Sequence, residues 1–150
     1  MKIKKLSYDD YALASQVLWK SFYHAEKDRY SLSGMERFRD LTTPVSLSMN
    51  TMDGNACLFG AFFQGDLIAV GAVKERRHIL LLYVLPEWEG KGVGSALLLR
   101  MEKYCLEKKI TLNSSDGAVA FYQKHGYQIS APRRVEDDMI FTPMIKILKF

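Results

Sequence analysis

A chain of 150 residues that is 48% hydrophobic and 25% charged can bury one globular core, which excludes a disordered or low-complexity chain. The formal charge of +4 is modest and scattered through KIKK, KERRH, PRR and KILK with acids between, so no concentrated nucleic-acid-binding stripe is expected. Two distant cysteines without CxxC spacing, no signal-peptide pattern and no apolar run longer than Ile79 to Leu85 predict a cytoplasmic protein without disulfides or a membrane span.

In chain order, residues 2–6 alternate weakly and read as a first strand. Ser7-x-x-Asp10 forms a capping box, with Leu6 and Tyr11 placed as a hydrophobic staple. Ala14, Val17, Leu18, Ser21, Phe22 and Ala25 follow at helical spacing, which predicts a helix from about Tyr8 to Ala25. Ser33-x-x-Glu36 opens a shorter helix that stops before Pro44. Residues 43–56, rich in Ser, Thr, Asn and Met, are expected to form a loop. CLFGAFF, a QGD turn and LIAVGAV then give a hairpin, and HILLLYVL gives the next strand. These runs are nearly continuous in apolar residues, so helices are expected on both faces of the sheet. A glycine-rich turn leads into a helix to about Lys108, lined by Val93, Leu97, Met101, Tyr104 and Cys105. ITLN is a short strand. Ser115 or Asp116 caps another helix through Lys124, and Gly126 ends it. Residues 127–135 and 139–150 read as two closing strands, with Pro132 and Pro143 at ends, bulges or edges. The result is one mixed α/β domain over residues 1–150, in the order β-α-α-β-β-β-α-β-α-β-β.

The chemistry concentrates at VLPEWEGKGVGS. A strand that delivers a glycine-rich turn onto a helix N-terminus gathers free N–H groups and the positive end of the helix dipole at one point, which favours an anion. The dinucleotide pattern G-x-G-x-x-G fails here, because Ser95 or Leu97 stands where its last glycine should be. The P-loop pattern fails as well, because Lys91 precedes the second glycine. His24, His78 and His125 show no metal-ligand spacing with one another or with the cysteines, so no metal is expected.

Val84, Pro86, Glu89, Gly92 and Gly94 fall on a motif that resembles the central motif of the GCN5-related N-acetyltransferases, a Gln or Arg followed by spaced glycines directly after the fourth strand. LNSSDGAVAFYQKHGY is similar to a later motif of the same family, with Ala118, Phe121, Tyr122, Gly126 and Tyr127 in place. The predicted strand order matches that family's mixed sheet, whose fourth and fifth strands splay apart. Two positions depart from the pattern: Glu89 replaces the usual Gln or Arg, and Ser115 replaces a common Asn.

The resemblance implies acetyl-CoA as donor and direct attack by a primary amine, a small molecule or a peptide, in a ternary complex. Pyrophosphate would rest on the backbone of Glu89, Gly90, Lys91, Gly92, Val93, Gly94 and Ser95, with Lys91 adding charge. Leu82, Tyr83 and Val84 would hold the pantetheine arm, and Ser115 would lie beside it. Tyr122 matches the family tyrosine near the thioester sulfur and is the candidate general acid. The fourth strand carries no carboxylate, so His78 at its start is the candidate base. Glu36, Arg37, Arg39 and residues 23–33 are expected near the acceptor. A homodimer through the C-terminal strands is compatible with this fold. The alternative reading is a non-catalytic acyl-CoA-binding sensor or partner module, and neither reading involves nucleic acid or a membrane.

Overall fold

Residues 1–149 are described by a computed structural model. Strands β1 (Lys2–Lys5), β2 (Ala56–Phe63), β3 (Asp66–Lys74) and β4 (His78–Val84) form an antiparallel half-sheet. Strand β4 runs parallel to β5 (Lys109–Ser114), which pairs antiparallel with β8 (Met139–Ile147). Two short strands, β6 (Gln128–Ile129) and β7 (Arg134–Glu136), pair with successive parts of β8. This is the predicted mixed sheet, here of eight strands.

The continuous apolar runs are explained by helices on both faces. Leu58, Val70 and Ala72 pack with Leu18 and Phe22 of α1 (Tyr11–Glu26) and Phe38 of α2 (Leu32–Leu41). Their neighbours Phe59, Ile68 and Val73 face the other way, onto Leu97, Leu98 and Met101 of α4 (Val93–Tyr104). Side chains alternate along a strand, so a strand buried on both faces must be apolar throughout.

Four boundaries differ from the sequence reading. Residues 43–56 are not all loop: Pro44–Met52 form helix α3. Thr43 caps it by accepting from the Ser46 N–H at 3.1 Å, and Pro44 sits in its first turn. Leu47 is the one core residue of that helix, so no apolar periodicity announced it. Helix α2 begins two residues early, because Ser31 rather than Ser33 accepts from the Gly34 N–H. Helix α4 stops at Tyr104 rather than Lys108. Arg76 Nε donates to the Tyr104 carbonyl at 2.9 Å and the Leu106 N–H is drawn to the Arg76 carbonyl, which pulls the chain out of the helix. The strand expected over 127–135 is broken into β6 and β7, with Pro132 between them. Phe150, the end of the last predicted strand, lies outside the described residues.

The opening that matters for function lies between β4 and β5. Their parallel pairing covers only His78 with Thr111 and Ile79 with Leu112. Beyond Ile79 the strands part, and one edge of β4 from Leu80 onward is unpaired. At the same point a bulge places Leu80 as an extra residue opposite β3, between the pairs Val73–Ile79 and Ala72–Leu81. A bulge bends its strand and raises local twist, so it reinforces the splay.

A buried polar knot braces the far side. Glu102 Oε2 accepts from the Tyr127 hydroxyl at 2.7 Å and from Lys146 Nζ at 3.0 Å, tying α4 to β8 and to the turn after α5 (Val119–Lys124). Removing the carboxylate strands both donors. Glu102→Ala is expected to cost about 2–3 kcal/mol of stability, read as a lower urea midpoint at unchanged m-value. A loss below about 1 kcal/mol would contradict this role.

Candidate active site

Three connected cavities follow the splay. A groove of about 570 Å³ runs between α1 and the segment from Ser115 to Tyr122, with Leu82, Tyr83 and Val84 on its floor and Glu89 and Gly94 at one end. A small junction of about 40 Å³ is lined by Ile79 to Tyr83, Asn113, Ser115, Ala118 and Tyr122. On the opposite side, a cavity of about 380 Å³ is walled by Phe38, Leu47, Leu80, Leu81 and Met139, with Arg37, Glu136 and Asp137 also lining it. Tyr83 and Ser115 line all three spaces.

The glycine turn has the form expected of an anion cradle. Gly90 and Gly92 adopt φ of 74° and 81°, a region that a β-carbon disfavours, and a β-carbon at either would meet open space. Gly92 caps α4, whose first intrahelical bond runs from the Ala96 N–H to the Gly92 carbonyl. The N–H groups of Val93, Gly94 and Ser95 therefore precede the helical ladder and point out of its N-terminus. The Glu89 N–H is used inside the turn, donating to the Pro86 carbonyl at 3.2 Å, so it does not join the cradle. The Glu89 carboxylate belongs to a residue on the groove wall, and Lys91 Nζ rests 5.1 Å from the centre of the Trp88 ring. At Gly94 an added β-carbon would lie 3.5 Å from the Phe121 ring and 3.6 Å from Val84, which fixes how closely α4 approaches β4 and α5.

Tyr122 is 6% exposed and lines both the groove and the junction. Burial raises its phenol above the ordinary range, so it stays protonated at neutral pH. His78 is placed differently. It sits at the closed end of the splay, its Nδ1 lies 2.7 Å from Thr111 Oγ1, and none of the three cavities includes it. Burial first, then the charges of Lys74 and Arg77, lower its pKa. Of the acceptor-side residues expected on α2, Arg37 reaches the cavity, while Arg39 lies over the Trp19 ring at 4.7 Å.

Glu26, Arg29 and Tyr30 lie in the segment 23–33 expected near the acceptor, though the sequence singled out none of them, and Asn113 was missed. Tyr30 bridges the segment after α1 to β8: its hydroxyl donates to the Ile140 carbonyl at 3.1 Å and accepts from the Ile140 N–H at 2.9 Å. A signal for Glu26 was present. Leu18, Phe22 and Glu26 are spaced four apart, so the carboxylate extends the buried stripe of α1.

The fold thus brings together a splayed parallel pair, a glycine turn on a helix N-terminus and a tyrosine beside the opening. The family model described as "Acetyltransferase (GNAT) domain" matches residues 26–148, and the chain belongs to the GCN5-related N-acetyltransferase family. Among its relatives is a spermidine N(1)-acetyltransferase from Thermoplasma acidophilum, 26% identical over 145 residues, covering 86% of this chain and 89% of that one. The chain spans less than half the length of three other curated relatives that it matches at higher identity. Among solved structures, a GCN5-related N-acetyltransferase from Rhodopseudomonas palustris superposes with a TM-score of 0.87 at 23% identity, covering 98% of this chain and 95% of that one. The PaiA N-acetyltransferase from Thermoplasma acidophilum, solved with coenzyme A, gives 0.81 at 24% identity, covering 97% and 98%. Both show the same fold. No helix among the described residues is long and apolar enough to cross a membrane, and no group of three or more His, Cys, Asp or Glu among them is placed to hold a metal ion.

Proposed function

We propose that this protein transfers an acetyl group from acetyl-CoA to a primary amine, by direct attack within a ternary complex. The observation that carries this reading is the gap between β4 and β5, where a narrow junction connects the long groove to a second cavity. A donor lying in the groove and an acceptor in the second cavity meet only there. The coenzyme A in the PaiA structure and the spermidine acetylation named for another relative support the same donor and acceptor classes.

The residues fit such a donor. Val93, Gly94 and Ser95 offer N–H groups to the pyrophosphate at the positive end of α4. The unpaired edge of β4 from Leu82 to Val84 offers ladder hydrogen bonds to the amides of the pantetheine arm, which holds it extended. Fixing the thioester at the junction supplies a proximity effect before any proton moves. A β4 N–H at the bulge would meet negative charge developing on the carbonyl oxygen. Tyr122 gives a proton to the departing sulfur. The apolar walls of the second cavity suit the carbon skeleton of an amine.

The test is mass spectrometry of a panel of primary amines, spermidine included, incubated with acetyl-CoA and enzyme. A product heavier by one acetyl group, formed with an equal amount of free CoA thiol, is expected. Binding of acetyl-CoA without product from any amine would favour a sensor instead.

A further inference from the structure

Glu26 is the one residue among those described with a buried side-chain polar atom lacking a hydrogen-bond partner, its Oε1. Its side chain is 2% exposed. Glu102, the other buried glutamate named above, accepts two hydrogen bonds and is explained by structure alone. Glu26 Oε2 has only Arg29 Nη1 at 3.6 Å, an ion pair whose other half is largely exposed. An orphaned buried carboxylate costs stability and calls for a functional account.

Its surroundings supply one. Glu26 closes the C-terminal end of α1 and lines the groove together with Tyr83 and Tyr122, both of which also line the junction. We propose that Glu26 is the general base of the transfer reaction, its carboxylate taking a proton from the acceptor's ammonium group where the groove it lines meets the junction. This rests on the acetyl-transfer reading above.

The step balances. The ammonium nitrogen loses one proton to Glu26, and the freed lone pair forms the N–C bond to the thioester carbonyl. The C–S bond breaks and its electron pair leaves with sulfur. Tyr122 protonates the sulfur and regains a proton from the nitrogen, while Glu26 returns its own to solvent.

The electrostatics around Glu26 favour its protonated form more than those around an exposed carboxylate. Burial raises the Glu26 pKa, Arg29 opposes that, and the negative charge of Asp116, from the turn before α5, adds to it. Tyr83 from β4 and Tyr30 from the chain after α1 are the remaining titratable groups that sense its charge. A carboxylate whose pKa is raised accepts a proton more readily than an ordinary one.

Glu26→Gln keeps the shape and removes the base. With spermidine and phenylethylamine as acceptors, kcat at pH 7 is expected to fall by about 100-fold. The remaining rate should climb about tenfold per pH unit up to pH 9, because it then depends on amine already deprotonated in solution. Acetyl-CoA affinity by calorimetry should stay within about threefold, since no contact that binds CoA is lost. Glu26→Asp retains a carboxylate and should keep the wild-type shape of the pH profile at lower kcat. An active wild type with a Gln variant of unchanged pH profile overturns the proposal. So does a loss confined to acetyl-CoA affinity, which would make Glu26 a ligand of the pantetheine arm. No amine-dependent thiol release by wild type, with acetyl-CoA bound, overturns the acetyl-transfer reading itself, and this inference with it.

Discussion

Tyr122→Phe is expected to lower kcat by about 100-fold while changing acetyl-CoA affinity by less than about twofold. The substitution deletes one oxygen from a ring that is 6% exposed and packs edge-on against Phe121 and Tyr127, with centroids 5.2 and 5.6 Å away. The ring stays in place, so the floor of the junction keeps its shape. On the proposed mechanism, only proton donation to the sulfur is lost. The thiolate of coenzyme A must then leave unprotonated or take a proton from water, and the penalty falls on the transition state rather than on ground-state binding. The raised pKa of this phenol also predicts that the acid stays available across the neutral and mildly alkaline range, so no alkaline loss of rate from Tyr122 should appear below about pH 10. Steady-state kinetics with calorimetry on the same preparation decides it. Unchanged kcat would remove Tyr122 from proton transfer.

Gly92→Val should weaken coenzyme A binding by about tenfold to 100-fold, the equivalent of one or two lost hydrogen bonds to a charged group. Gly92 holds φ at 81° as the cap of α4, and a β-carbon there meets nothing within 4 Å. Steric collision is therefore not the cause. A β-branched residue resists this left-handed conformation at a cost of about 1–2 kcal/mol. The turn relaxes, and the N–H groups of Val93, Gly94 and Ser95 lose their common aim. Gly65→Val is the control. Gly65, in the turn between β2 and β3, has φ of 86° and equally open surroundings, but it joins two strands and caps no helix. Both variants should lower Tm by a similar few degrees, and only Gly92→Val should lose coenzyme A affinity. Equal affinities in the two would separate the glycine turn from pyrophosphate binding.

The parts of this architecture legible in the sequence are those that chemistry ties to particular residue types. Gly90 and Gly92 are glycines because their φ values are positive, and the apolar runs of β2 and β3 are continuous because helices cover both faces. The places that escaped depend on contacts between distant segments. Helix α3 buries only Leu47, so the Thr43 cap had no periodic stripe beside it. The early end of α4 depends on Arg76, a residue 28 positions before the carbonyl it holds. His78 suggested a base because an imidazole titrates near neutrality, yet the two-pair ladder of β4 and β5 places it on the closed side of the splay. Glu26 lies 57 positions before Tyr83, and only the fold brings it to the same groove.

The direct-transfer account is tested most directly by initial rates of CoA thiol release, with acetyl-CoA and an amine from the productive panel varied together. Two cavities that meet at one junction require both substrates to be bound before the acetyl group moves, so the double-reciprocal lines should intersect. Parallel lines, with an acetylated protein trapped in the absence of amine, would contradict it.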